Sequence, residues 1–110
     1  MQATEKPKRM QIGSENYKLS QKNEILIKTA NWLIEKGHLT PSDCPLKVSP
    51  QAKNYLINST PIHSTGKKFS RKKKLKNSLY IESHSKRAER YAKRLLEKYG
   101  YDPVILQIKW

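Results

Sequence analysis

The stretch SLYIESHSKRAERYAKRLLEKYGYDPVILQIKW, residues 78–110, decides the fold. Within it Ala88, Tyr91, Ala92, Leu95, Leu96 and Tyr99 recur at three- and four-residue spacing, which places them on one face of a helix. Ser83 or Ser85 can cap its start and Gly100 can stop it, so the spacing predicts a helix over 86–99. Ahead of it Ser78-Leu79-Tyr80-Ile81-Glu82 has the composition of a short strand. Behind it residues 103–109, PVILQIK, are apolar nearly throughout. That pattern predicts a buried interior strand, the kind found where both sheet faces are covered. Strand, helix and strand in close succession suggest a βαβ unit, right-handed if the strands are parallel.

Toward the N-terminus, Ile25, Leu26, Thr29, Ala30, Leu33 and Ile34 repeat the helical spacing. Ser20 reads as the cap, Glu24 lies near the first turn and Gly37 is a natural stop, giving a helix of about residues 21–36. Residues 40–45, TPSDCP, read as a turn. Ser49 followed by Pro50 signals a second, shorter helix through Tyr55, Leu56 and Ile57. Residues 59–66 read as loop with a short extended piece at Ile62-His63. Residues 1–19 lack periodicity and read as a flexible lead-in to a single small basic domain over 20–110. The expected class is α+β: two N-terminal helices packed on a small sheet, a C-terminal strand–helix–strand unit and a basic loop.

Size and composition narrow the function. The chain has 110 residues, a mass of 12.8 kDa, 23 Lys+Arg against 9 Asp+Glu, a net charge of +14 and a pI near 10.0. No apolar run approaches the roughly 20 residues of a membrane span, so no membrane partner is expected. The opening MQATEKPKRM is charged and apolar-poor, so no secretory signal is expected. The single cysteine, Cys44, cannot close an internal disulfide. With no Cys/His cluster and no phosphate-binding glycine loop, neither a metal nor a cofactor is expected. An intracellular protein is expected, cytoplasmic or, in a eukaryotic host, nuclear.

The charge is concentrated. Residues 67–98 hold 13 basic and 3 acidic residues, while 1–66 hold 9 and 5. Its centre, KKFSRKKKLK at 67–76, contains seven cations: Lys67, Lys68, Arg71, Lys72, Lys73, Lys74 and Lys76. Such a run repels itself and must be a loop, an arm or a solvated face until an anion meets it. The helix that follows adds Lys86, Arg87, Arg90, Lys93, Arg94 and Lys98 against only Glu89 and Glu97. A helix that needs only solubility mixes signs so that four-apart pairs form. Both segments point to phosphates, and Tyr80 beside them is a candidate for stacking on a base. Tyr91 and Tyr99 lie on the apolar stripe and read as core.

His38, His63 and His84 are the histidines. His38 follows a helix end and reads as a surface residue. His63, in its loop, is the candidate catalytic residue if the protein is an enzyme, for imidazole beside lysines can serve metal-free RNA cleavage. Residues 62–110 also resemble the ADP-ribosyltransferase fold, including the RNA 2′-phosphotransferases. Ile62-His63-Ser64-Thr65 resembles the His-Gly-Thr motif that opens it, with Ser64 in place of Gly. The later order of strand, alanine-bearing helix, Gly turn and Pro-Val strand is also similar. The resemblance implies that His63 and Thr65 hold a ribose and that Tyr80 lines the cleft.

The leading expectation is a non-enzymatic nucleic-acid-binding protein, RNA ahead of DNA. A small RNA-directed enzyme, transferase-like or a metal-free ribonuclease toxin, is the alternative. A ribonucleoprotein component, ribosomal or virion-associated, is a third reading.

Overall fold

The computed structural model describes residues 6–47, 51, 54–63, 65–83 and 86–110. They form an α+β domain of two helices and two three-stranded antiparallel sheets. The first sheet begins as a hairpin, β1 (Arg9–Ile12) and β2 (Glu15–Lys18), and gains β6 (Leu106–Lys109) on the far side of β1. Met10 and Ile12 point into the core while Arg9 and Gln11 face water, so one sheet face is buried. Gly13 makes the hairpin turn at φ +58°, and the Trp32 ring lies 3.4 Å from where a Cβ would stand.

Helix α1 (Asn23–Glu35) follows the spacing expected of it, burying Ile25, Leu26, Ala30 and Leu33. Thr29, fully buried within it, satisfies its hydroxyl by donating to the Ile25 carbonyl at 2.7 Å. Ser20 does not cap the helix. Instead the Glu24 carboxylate accepts from the Ser20 N–H, the Ser20 hydroxyl and the Gln21 N–H. Gly37, at φ +81°, closes the helix as expected.

The second sheet is β3 (Ile57–Asn58), β5 (Tyr80–Glu82) and β4 (Lys72–Lys74), with β5 in the centre. Ile57 pairs with Ile81, and both are fully buried. Helix α2 (Ala88–Lys98) buries Ala88, Ala92, Leu95 and Leu96. Tyr91 and Tyr99 pack at the core margin, so the expected stripe is the buried face. The two helices pack on each other and join the sheets through one core. Among the described residues, no helix is long and apolar enough to cross a membrane.

Besides the Ser20 cap, four expectations need correction. Residues 9–18, read as part of a lead-in, form the β1–β2 hairpin, because Met10 and Ile12 have a core face to fill. The second helix does not form where it can be seen. Tyr55 and Leu56 are irregular and Ile57 enters β3, since a β-branched residue opposite Ile81 gains more from the sheet. Its signals Ser49 and Pro50 lie outside the described residues. Among the described residues β5 and β6 belong to different sheets and every pairing is antiparallel, so they do not form a βαβ unit. Finally, residues 103–109 are not an interior strand. Residues 103–105 form a short 3-10 turn, β6 is an edge strand, Leu106 is buried and Val104 is 63% exposed.

Candidate nucleic-acid interface

The basic run is mostly built into the fold rather than left as a loop. Three of its lysines, Lys72, Lys73 and Lys74, form β4, an edge strand with all three side chains exposed. They pair with Glu82, Ile81 and Tyr80 of β5. The β4–β5 turn passes through Asn77 (φ 60°) and Ser78 (φ 59°), two successive left-handed residues, and the Leu75 N–H closes it on the Leu79 carbonyl at 2.7 Å. Lys76 is tied down: its backbone N–H donates to Asn31 Oδ1 and its ammonium pairs with Glu35 of α1.

One carboxylate organises the start of the strand. Glu82 ends β5 and is 7% exposed. Its Oε1 accepts from the Arg71 N–H at 2.6 Å, and its Oε2 from the Ser70 N–H at 2.8 Å and from His63 Nε2 at 3.1 Å. Ser83 adds to the same corner, donating its N–H and its hydroxyl to the Arg71 carbonyl. Burial alone pushes the Glu82 carboxyl up. The Arg71 and Ser70 N–H groups and His63 outweigh it and hold the group below the usual carboxylate range.

His63 is positioned by a tight turn. Its N–H donates to the Lys67 carbonyl, and the Gly66 N–H, at φ +85°, donates back to the His63 carbonyl. Phe69, buried, packs against the imidazole with ring centroids 4.5 Å apart and the planes tilted by 38°. The Tyr55 N–H meets His63 Nδ1 at 3.2 Å. A backbone N–H can only donate, so Nδ1 accepts and the proton is assigned to Nε2, which donates to Glu82. Both ring nitrogens are therefore engaged.

Around this pair lies a cleft of about 600 Å³. Lys67, Lys68 and Arg71 line it with Asn54, Thr65 and Ser70, while His63, Glu82 and Ser83 complete its wall. Four expected site residues, His63, Lys67, Lys68 and Arg71, thus come together, and Lys72–Lys74 continue from them along the adjoining edge. Tyr80 is half-buried in β5 opposite Lys74 and does not line the cleft. Lys86, Arg87, Arg90, Lys93 and Arg94 lie on or next to α2 and do not line it either. Within them Lys93 pairs with Glu89 at 3.1 Å, and Arg87 donates to the Tyr91 hydroxyl at 3.3 Å. His84 lies outside the described residues. His38 bonds to the Tyr101 hydroxyl at 2.7 Å, far from the cleft in sequence and absent from its lining.

Sequence reasoning missed Glu82, Ser70, Ser83 and Asn54. Glu82 carried a readable signal, because it is the one acid between Asp43 and Glu89 and stands at the end of an apolar strand. Among the described residues no group of three or more His, Cys, Asp or Glu side chains is placed to hold a metal ion. In comparisons with known proteins, no family model, no curated protein and no solved structure matches the chain.

Proposed function

We propose that the protein binds nucleic acid, RNA ahead of DNA, through the cationic surface of Lys67–Lys74, with the basic face of α2 as a secondary contact. The observation that carries this reading is the anchoring of an exposed lysine strand by a buried carboxylate. Glu82 fixes Ser70 and Arg71, and they start β4 in a defined register. Six cations from Lys67 to Lys74 are thereby presented without an ion-pair partner among the described residues. A surface ordered in advance loses less conformational entropy when a polyanion docks. Lysines on an edge strand also guard it against pairing with another chain. That role does not call for Lys67, Lys68 and Arg71 beside it.

Phosphate contacts give affinity with little sequence information, so binding is broad in sequence. An intracellular location belongs to the same proposal. The enzymatic alternative depends on His63, and the engagement of both its ring nitrogens favours a structural role for it. The test is a salt titration. Changing Lys72, Lys73 and Lys74 to Gln should weaken binding to single-stranded RNA similarly across sequences. It should also flatten the plot of log K against log salt by about 2 units, three contacts at roughly 0.7 each. An unchanged slope would remove the lysine strand from the interface.

A further inference from the structure

The cleft behind the lysine strand has two ends of opposite character. Its rim carries the exposed side chains of Lys67, Lys68 and Arg71. Its wall includes Glu82, whose carboxylate-bearing side chain is 9% exposed. Oε2 of that group already accepts two hydrogen bonds, whereas Oε1 accepts one, from the Arg71 N–H, among the described residues. A carboxylate oxygen has two lone pairs, so Oε1 keeps an acceptor position. A phosphate cannot occupy that position, because two anions would meet in direct contact. The inner end therefore suits a neutral donor, a hydroxyl or an amino group, and the rim suits an anion.

A nucleotide has this arrangement: a phosphate at one end, and sugar hydroxyls or base amino groups at the other. The volume of about 600 Å³ lies within the range of roughly 300–1,000 Å³ spanned by small-molecule sites. A duplex is too wide to enter. A strand end or a nucleotide turned out of its stack is not.

We infer that the cleft receives one unpaired nucleotide of the bound strand, its phosphate on Lys67, Lys68 and Arg71 and a sugar hydroxyl or base amino group toward Glu82 Oε1. This rests on the nucleic-acid reading above and adds to it a preference for single-stranded or unpaired sites over continuous duplex. Asn54, exposed at the cleft, supplies a further donor and acceptor for the nucleoside part.

The test uses the whole chain, isotopically labelled, titrated separately with AMP, GMP, CMP, UMP, adenosine and inorganic phosphate. At least one mononucleotide should shift the amides of Thr65, Ser70 and Arg71 and should compete with a single-stranded oligonucleotide. Adenosine and inorganic phosphate should bind more weakly than that mononucleotide. The Lys67→Gln/Arg71→Gln double variant, which alters only exposed side chains, should weaken mononucleotide binding by about tenfold or more. Asn54→Ala should weaken it without changing inorganic phosphate binding. If no mononucleotide binds while the oligonucleotide still binds through Lys72–Lys74, the cleft inference is overturned and the broader reading stands. Inorganic phosphate binding as tightly as every mononucleotide would overturn it too. If the oligonucleotide itself does not bind, the broader reading fails, and the inference with it.

Discussion

Glu82 and His63, nineteen positions apart, meet at 3.1 Å in a buried pair that fixes two chain segments at once. Through His63 the carboxylate reaches the Gly66 turn, and through Ser70 and Arg71 it holds the entry to the lysine strand. One buried acid thus stands at the junction of the segments that carry the cleft cations. Its energetic worth lies in what its removal would leave behind: an imidazole donor and two backbone N–H groups without an acceptor.

Glu82→Ala should therefore be costly. A buried donor left without its acceptor costs about 1–3 kcal/mol, and Glu82 serves three of them. Urea denaturation should show a loss of that order. Hydrogen exchange under native conditions should show the amides of Ser70 and Arg71 losing protection before those of α1. A loss below about 1 kcal/mol, the worth of an ordinary hydrogen bond, would mean that the corner is held by Ser83 and the β4–β5 pairing instead.

The same carboxylate sets a pH dependence. Its value in the folded chain lies below its ordinary 4.5. A lowered carboxyl value contributes stability that is fully present above 4.5 and is lost as pH falls through the folded value. Wild-type stability should thus decline below about pH 4.5 more steeply than that of Glu82→Gln, which has no charge to lose. Thermal melting of both proteins between pH 7 and pH 3 measures this. Parallel curves would assign the acid sensitivity to other carboxylates, Glu24 first, since it too is held below the usual range.

How legible this was in the sequence depended on the length of each signal. Both helices were readable because their apolar spacing runs over several turns, from Ile25 to Ile34 and from Ala88 to Tyr99. Of the strands, β5 was readable within residues 78–82 and β6 within 103–109, but β3 has two residues and β4 three, too few for an alternating pattern. Lys72–Lys74 carry no apolar residue at all and enter a strand through Glu82 and through a turn written Asn77-Ser78. The usual hairpin signal at such left-handed positions is Asn-Gly. The cations of the candidate interface were legible from charge density alone. The acid that orders them showed only as an isolated acid between Asp43 and Glu89, and its role stayed unread because two of its three partners are backbone groups that no sequence pattern announces.

That turn yields a stabilising substitution. Ser78 sits at φ 59°, where a residue with a Cβ is strained and glycine is not. Ser78→Gly should raise stability by about 0.5–1 kcal/mol, the strain relieved less the added freedom of the unfolded chain. Chemical denaturation gives the value directly. A destabilised Ser78→Gly variant would show that the serine makes up for its strain through contacts of its own.

Catalysis is tested by the state of His63. With Nδ1 accepting from Tyr55 and Nε2 donating to Glu82, the imidazole has no free lone pair to take a proton from a substrate hydroxyl. Labelled RNA incubated with the pure protein at neutral pH should remain intact. His63→Ala should be destabilised, because it leaves the Tyr55 N–H and the Glu82 carboxylate short of a partner. At a temperature where it is still folded, it should retain most of its salt-dependent binding. Cleavage or group transfer on RNA that vanishes in a folded His63→Ala variant would reverse this and make the cleft an active site.

The C-terminal strand separates burial from mere apolarity. Leu106 is 3% exposed and pairs with Ile12 across the sheet, whereas Val104, two residues earlier, is 63% exposed on a 3-10 turn. Fully burying an aliphatic side chain is worth about 1.5–3 kcal/mol, a sizeable part of the roughly 5–15 kcal/mol that holds a domain together. Leu106→Asp would bury a carboxylate beside Ile12, and should leave the chain largely unfolded or aggregated. Leu106→Ala, a milder cut, should cost about 2–5 kcal/mol and keep the m-value of unfolding. Val104→Ser should stay within about 0.5 kcal/mol of the wild type, as exposed substitutions do. Lys109→Ala, exposed at the end of the same edge strand, should be equally neutral. Equal costs for Leu106→Ala and Val104→Ser would show that β6 does not close the β1 side of the core.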